Sequence, residues 1–355
     1  MNNETRKETQ VLPKDVRYVG ADDLTLPLFE NQYPVQPMGV SYNSYLILDE
    51  KIAVMDSVDA RAADEWLAKL AHELDGRSPD YLVISHMEPD HSGSILRLAE
   101  KYQEMKLVGN TKTFTMLRQF FGAKAPTDDR LLEVGVGETL PLGAHTLHFM
   151  LAPMVHWPEV MVAYEETEKL LFSADAFGRF GSLGRTANAP WAPQARRYYY
   201  NIVGKYGAQV QALLKKASAL EIKTVCPLHG PVLTGEALGE ALRLYDLWSR
   251  WQSESPDDIL LAHASIHGNT ARAAELFKQK LEAAGARATL CDLTTTEVSY
   301  AVANAFYCGK LVLACSTYDG GLFPPMEEFL SHLQAKGFRS RTVGLMENGS
   351  WAPAA

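Results

Sequence analysis

The rhythm of hydrophobic and polar positions changes once along this chain. Before residue 253, short apolar runs are mixed irregularly with segments of helical spacing. A polar stretch follows, Ser253-Glu254-Ser255-Pro256-Asp257-Asp258, and beyond it strand-like and helix-like segments alternate in turn. In the first part, residues 43–58 predict a hairpin, strand-like at 44–48 and 52–55 around an Asp49-Glu50-Lys51 turn. Residues 80–84, 107–109, 131–134 and 146–151 read as strands, and 161–172 as a hairpin-like run. Apolar spacing predicts helices over 61–74 and 111–121, over most of 194–220, and over 236–252. Such a mixture suits an α+β sandwich of two sheets flanked by helices. In the second part, strands are expected at 259–264, 288–291, 311–315 and 342–346, with helices between, the first over 270–284. That alternation predicts an α/β parallel sheet. The expected domains are 1–252 and 253–355.

Composition narrows the class. A length of 355 residues favours two or three domains, and 46% hydrophobic content is ordinary for a globular protein. The net charge of −9 argues against a nucleic-acid partner. The first ten residues are polar and charged, without the apolar core of a signal peptide. No run is long enough to span a membrane, so a cytoplasmic location is expected. Cys226, Cys291, Cys308 and Cys315 form no C-x-x-C pair and read as reduced thiols in apolar strands.

The candidate chemistry is concentrated in Ser85-His86-Met87-Glu88-Pro89-Asp90-His91-Ser92-Gly93. Four metal-ligating types, His86, Glu88, Asp90 and His91, stand at the end of a predicted strand. In an extended segment residues at i and i+2 point the same way. His86, Glu88 and Asp90 are then expected to face one cavity, with His91 directed to a neighbouring position. Further ligand types close later apolar runs: His156, Asp175 and His229. The first motif resembles the His-x-His-x-Asp-His zinc motif of the metallo-β-lactamase superfamily, with Glu88 in place of the second histidine. A carboxylate is a harder ligand than imidazole and shifts such a site towards iron or manganese.

With the later His, Asp and His in place, the chain resembles the flavodiiron proteins, or A-type flavoproteins, along nearly its whole length. The resemblance implies a metallo-β-lactamase-like αββα sandwich followed by a flavodoxin-like doubly wound sheet. It implies that His86, Glu88 and His156 hold one iron, that Asp90, His91 and His229 hold the other, and that Asp175 bridges them. Three carboxylates against two divalent irons leave the site close to neutral. Glu159 and Tyr199 are the candidates for orienting the imidazoles from behind.

The second part carries three loops at the expected carboxyl ends of its strands, where such sheets bind ligands. Ser265, His267, Gly268, Asn269 and Thr270 lead from a strand into a helix. Hydroxyls, amides and a helix N-terminus make an anion site there. The loop resembles the phosphate loop of flavodoxins and departs from dinucleotide and P-loop patterns. Ser316, Thr317, Tyr318, Asp319 and Gly320 form the second loop; Asn348, Gly349, Ser350 and Trp351 the third. The implied cofactor is FMN, with Tyr318 or Trp351 against the ring. A flavodoxin-like sheet has a fifth strand and a final helix; here Trp351-Ala352-Pro353-Ala354-Ala355 follows the fourth strand, so the sheet is expected to lack them.

The resemblance implies an oxidoreductase in which FMN passes electrons to the di-iron pair, reducing oxygen to water or nitric oxide to nitrous oxide. It implies a head-to-tail homodimer or a tetramer, and a separate electron donor such as rubredoxin or a rubredoxin reductase system. The alternative is a dinuclear zinc hydrolase of the metallo-β-lactamase superfamily, against which Glu88 and the flavodoxin-like part both argue. A third reading is an electron carrier with a vestigial metal domain.

Overall fold

The structure is a computed structural model and describes residues 11–351 and 353–355. It divides into two compact units. One comprises the described residues up to Ala195 together with Gln209–Arg243; the other comprises Arg196–Ala208 and Leu244–Ala355.

The first unit is built on two six-stranded sheets. One has the order Val16–Tyr18, Tyr45–Ile47, Ala53–Met55, Tyr81–Val83, Lys106–Gly109, Leu131–Glu133; the other runs Thr139–Pro141, Thr146–Leu151, Met161–Glu165, Leu170–Phe172, Thr224–Cys226, Leu233–Thr234. Their apolar residues meet in one cluster that includes Tyr45, Ile47, Met55 and Val83 from the first sheet and Leu147, Phe149, Met161 and Phe172 from the second. Several central strands are buried at every position, Ala53–Met55 and Leu170–Phe172 among them. Burial on both faces is why they read as continuous apolar runs instead of alternating ones. Each such side chain taken from water contributes roughly 1.5–3 kcal/mol before the entropy of ordering it is subtracted.

Strand direction decides where the chemistry sits. Ala53–Met55, Tyr81–Val83 and Lys106–Gly109 are parallel neighbours, as are Leu170–Phe172 and Thr224–Cys226. Their carboxyl ends release Asp56, His86, Asn110, Asp175 and His229. His86, Asp175 and His229 each follow the last residue of their strand by three positions.

Three local expectations are corrected here. The ligand segment is not extended throughout: Pro89 opens a helical turn, Pro89–Ser92, with Glu88 just before it. Proline suits that first position because its missing N–H has no intrahelical partner to lose. The polar stretch 253–258 is not all linker, since Ser255–Asp258 begins the ten-residue strand Ser255–Ala264. Its register against the neighbouring strand breaks between Ser255 and Ile259, which accommodates the polar residues there. The helical run expected over 194–220 is also interrupted, by a wide turn at Tyr199–Val203 and a tight one at Gly204–Tyr206.

The second unit holds a parallel sheet with the order Ala288–Asp292, Ser255–Ala264, Cys308–Tyr318, Thr342–Asn348. The first-to-second strand reversal of sequence order is that of flavodoxin-like sheets. The helix Asn269–Ala283 lays Ala274, Phe277 and Leu281 against Leu261, Leu290 and Val312. Among the described residues no helix is long and apolar enough to cross a membrane.

Candidate metal centre and flavin loops

Seven side chains from four connections converge in the first unit. His86, Glu88, His156 and Asp175 form one group; Asp90, His91 and His229 form another. In the first, His156 Nε2 lies 3.1 Å from Glu88 Oε2 and 2.9 Å from Asp175 Oδ2, and His86 Nε2 lies 3.3 and 3.5 Å from the same two oxygens. In the second, His91 Nε2 is 3.3 Å from Asp90 Oδ2 and His229 Nε2 is 3.2 Å from it. Asp175 belongs to both: its other oxygen, Oδ1, lies 3.3 Å from His91 Nε2 and 3.6 Å from His229 Nε2. Asp90 therefore sits with His91, and not with His86 and Glu88 as an extended segment requires. The turn opened by Pro89 rotates it away.

The imidazoles are oriented from behind. His86 Nδ1 donates to Glu159 Oε1 at 2.7 Å, and the same oxygen accepts from the Met87 N–H at 2.9 Å. His229 Nδ1 donates to the Ser41 carbonyl at 2.7 Å. With Nδ1 protonated, a neutral imidazole presents a bare lone pair at Nε2. Those lone pairs face carboxylate oxygens, which are acceptors as well. His91 Nε2 and His229 Nε2 also face each other at 3.1 Å. Both oxygens of Asp90, and Asp175 Oδ1, are buried without any hydrogen-bond partner among the described residues. Unpartnered buried carboxylate oxygens are costly. A cation in each group resolves the conflict, so the donor set fits two metals joined by Asp175.

In the protein without metal, protons take the place of the cations. Burial alone raises a carboxyl, yet the surrounding imidazoles hold Glu88 below the ordinary range and Asp175 well below it. Burial lowers an imidazole, yet the carboxylates win: His86 is held well above its usual value, His91 above it, and His156 at about 9.

A cavity of about 410 Å³ is lined in part by Glu88 and Asp90 and by Leu26, Leu28, Phe29 and Glu30. Removal of water, followed by the Glu88 charge, pushes the Glu30 carboxyl up to about 7. Phe29 and Tyr42 pack edge-on to His229, with centroids at 5.3 and 6.1 Å, and Trp157 does the same to His86 at 5.3 Å.

Sequence reading missed Asp56, whose Oδ1 accepts from the Ser85 N–H at 2.7 Å and the His86 N–H at 3.3 Å. Its signal was available: it ends the strand parallel to the one that delivers His86. It also missed Ser41, Glu30 and Tyr42, which no local pattern marks. Tyr199 is packed in the second unit against Tyr200, Tyr245 and Trp248, with centroids at 5.2, 5.0 and 5.3 Å.

In the second unit the three loops meet. The Thr270 and Ser316 hydroxyls are 2.7 Å apart, and Asn348 Nδ2 donates to Thr270 Oγ1 at 3.0 Å. The Gly268 N–H donates to Ser265 Oγ at 3.1 Å, and Gly268 takes a φ of +84° just before the helix. No atom lies within 4 Å of where a side chain on Gly268 or Gly320 would start, so the loops leave open space for a ligand. Tyr318 and Trp351 are 45% and 78% exposed, with the Tyr318 ring 5.7 Å from that of Phe323. His267, Asn269, Thr317, Asp319, Gly349 and Ser350 belong to the same three loops. Their arrangement fits a phosphate at the helix start and a flat ring near the second and third loops.

The chain is similar to several known proteins. The model of the ODP family beta lactamases matches residues 40–230. The rubredoxin-oxygen oxidoreductase of Megalodesulfovibrio gigas is 27% identical over 348 residues, covering 94% of this chain and 84% of that protein. The anaerobic nitric oxide reductase flavorubredoxin of Vibrio vulnificus is 26% identical over 350 residues, covering 95% of this chain and 69% of the relative. The crystal structure of the flavodiiron protein from Giardia intestinalis superposes with a TM-score of 0.90 at 27% identity, covering 97% of this chain and 84% of that one. Against the diflavin flavoproteins that it also matches, in Nostoc sp. and Synechocystis sp., the chain spans about half their length, 53% and 50%.

Proposed function

Because the chain belongs to the ODP family of beta lactamases, matched over residues 40–230, we propose that it is a flavodiiron oxidoreductase reducing oxygen to water, nitric oxide to nitrous oxide, or both. The observation that carries this reading is the pair of donor groups sharing Asp175, with a carboxylate, Glu88, where a zinc hydrolase of this fold has an imidazole. Two irons and FMN, when bound, supply the electron transfer and the gas chemistry.

The residues do the rest. His86, Glu88 and His156 would hold one iron and Asp90, His91 and His229 the other, with Asp175, which approaches both groups, shared between them. Glu159 and the Ser41 carbonyl fix the ring planes and tautomers of His86 and His229, so each imidazole meets its cation without rearranging. Leu26, Leu28 and Phe29 give the cavity an apolar wall that accepts small uncharged gases. Thr270, Ser316 and Asn348 tie together the loops that receive FMN. Electrons come from a separate donor such as rubredoxin, the working form is a homodimer or tetramer, and the protein acts in the cytoplasm.

The test is gas consumption by anaerobically prepared protein with two irons and one FMN per chain, reduced through rubredoxin. Oxygen and nitric oxide are followed in parallel with electrodes. Uptake of either gas is the expected result. Zinc content with ester or thioester turnover, and no uptake of either gas, would overturn the reading.

A further inference from the structure

Asn110 stands where the strand Lys106–Gly109 ends and the helix Thr111–Phe121 begins, and it is buried. The two ends of its amide have different tasks. Oδ1 accepts from the backbone N–H groups of Lys112 and Thr113, at 3.0 and 3.2 Å, and so caps the helix. The Thr113 hydroxyl accepts from the Asn110 N–H at 3.3 Å and completes the cap. Nδ2 turns away from the helix and donates to the Glu159 carbonyl at 2.6 Å.

Capping needs only the acceptor end, and serine or aspartate would cap as well as asparagine. The donor end therefore has a separate reason. Asn110 leaves a strand of the first sheet, whereas Glu159 lies between Thr146–Leu151 and Met161–Glu165 of the second, on the connection that also carries His156. The bond thus joins the two sheets beside the site. Glu159 in turn holds His86 Nδ1 at 2.7 Å and the Met87 N–H at 2.9 Å through one carboxylate oxygen. The second group is held by other residues. His229 Nδ1 donates to the Ser41 carbonyl, and the carbonyls of Pro227 and Gly230 on either side accept from Asn43 Nδ2 at 2.8 and 2.7 Å.

We propose that Asn110 is a positioning residue for the first metal group. It fixes the backbone of Glu159 and, through the Glu159 carboxylate, the ring of His86. This deepens the proposed function and rests on its reading of the two donor groups as metal sites. The effect is selective, because no part of the bond from Asn110 through Glu159 to His86 involves Asp90, His91 or His229.

The test separates the donor from the cap. Asn110→Ser keeps a capping oxygen and is too short to reach the Glu159 carbonyl. Cobalt(II) alone is the probe, added to metal-free full-length protein. Competition with a chromophoric chelator gives the two binding constants, and anomalous scattering from crystals at limiting cobalt assigns each to its group. In Asn110→Ser the first group is expected to bind about threefold to tenfold more weakly, with the second unchanged within about twofold. The same substitution is then made in Glu159→Ala. There it should change the first group by less than about twofold, because the carboxylate through which Asn110 acts is gone. Equal weakening of both groups, no change in either, or the full effect persisting without the Glu159 carboxylate overturns the assignment. Should Asn110→Ser fail to fold, Asn110→Asp, which keeps the cap and the shape but has no amide donor, takes its place. Should Glu159→Ala fail to fold, the contrast between the two groups decides alone. Gas uptake is read separately: its absence alongside the expected cobalt series counts against the proposed function and not against Asn110.

Discussion

Glu159 Oε1 lies 2.7 Å from His86 Nδ1, with both side chains fully buried. The contact fixes which ring nitrogen is protonated, and so which one faces Glu88 and Asp175. Burial raises the Glu159 carboxyl, but the His86 hydrogen bond and charge bring it below its ordinary value. Replacing Glu159 with Gln keeps the size and removes the charge. The first metal group should then bind its cation roughly 10-fold to 100-fold more weakly. Competition with a chromophoric chelator measures this, and the second group serves as the internal reference.

Asp175 reaches both groups with different oxygens, so its loss should not resemble the loss of a terminal ligand. Asp175→Ala is expected to lower the metal content of both groups, whereas His229→Ala lowers mainly the second. Elemental analysis after gel filtration, together with anomalous scattering from crystals of each variant, separates the two patterns.

Metal-free protein should show an unusual pH profile. His86, His91 and His156 are raised in the folded state, so their stabilisation is complete below the unfolded value of 6.5. It is lost as pH rises, for His156 through about 9. Glu88, Asp175 and Glu159 are lowered, so their contribution is present above about 4.5 and fades as pH falls. The chelator-treated protein should therefore melt highest near pH 5–6 and lose melting temperature towards pH 9. Metal competes with the same protons, so loaded protein should not share the alkaline loss. Calorimetry from pH 4 to pH 10 with and without metal tests the difference.

Thr270 Oγ1 contacts both Ser316 Oγ and Asn348 Nδ2, and so ties three loops that are remote in sequence. Thr270→Val keeps the shape and removes the hydroxyl. FMN affinity should fall about tenfold, the equivalent of roughly 1.4 kcal/mol. Quenching of FMN fluorescence on titration gives the constant, and unchanged binding would mean that the loops hold their places without this link.

The left-handed turn at Glu30, with a φ of +50°, should carry a stability cost of its own. Glu30→Gly relieves it, for a gain of up to about 1 kcal/mol and a rise of about 2–4 °C in melting temperature. Thermal melting of the variant beside the wild type measures the difference.

Much of this protein is legible without coordinates. The strand at residues 81–83 and the ligand types after it follow from local pattern, because burial on both faces demands a short apolar run and metal chemistry demands particular side chains. The alternation beyond residue 255 gives a parallel sheet, since parallel strands need a crossover between them. Strand spacing and the family resemblance part company at one residue: the resemblance implies Asp90 together with His91 and His229, as the structure has it. The i, i+2 rule placed Asp90 with His86, but Pro89 starts a helical turn and sends Asp90 to His91 and His229.

The amino-acid order by itself determined the kinds of donor available, the strands that end beside them, and the three loops suited to a flavin. These depend on interactions between near neighbours. Only tertiary structure decided that Glu159 holds His86, that Ser41 holds His229 from 188 positions away, and that Asp175 faces both groups. It also decided that Glu30 overlooks them. Those relations arise when two sheets close over a common core, and no spacing along the chain encodes the distance between residues on different sheets.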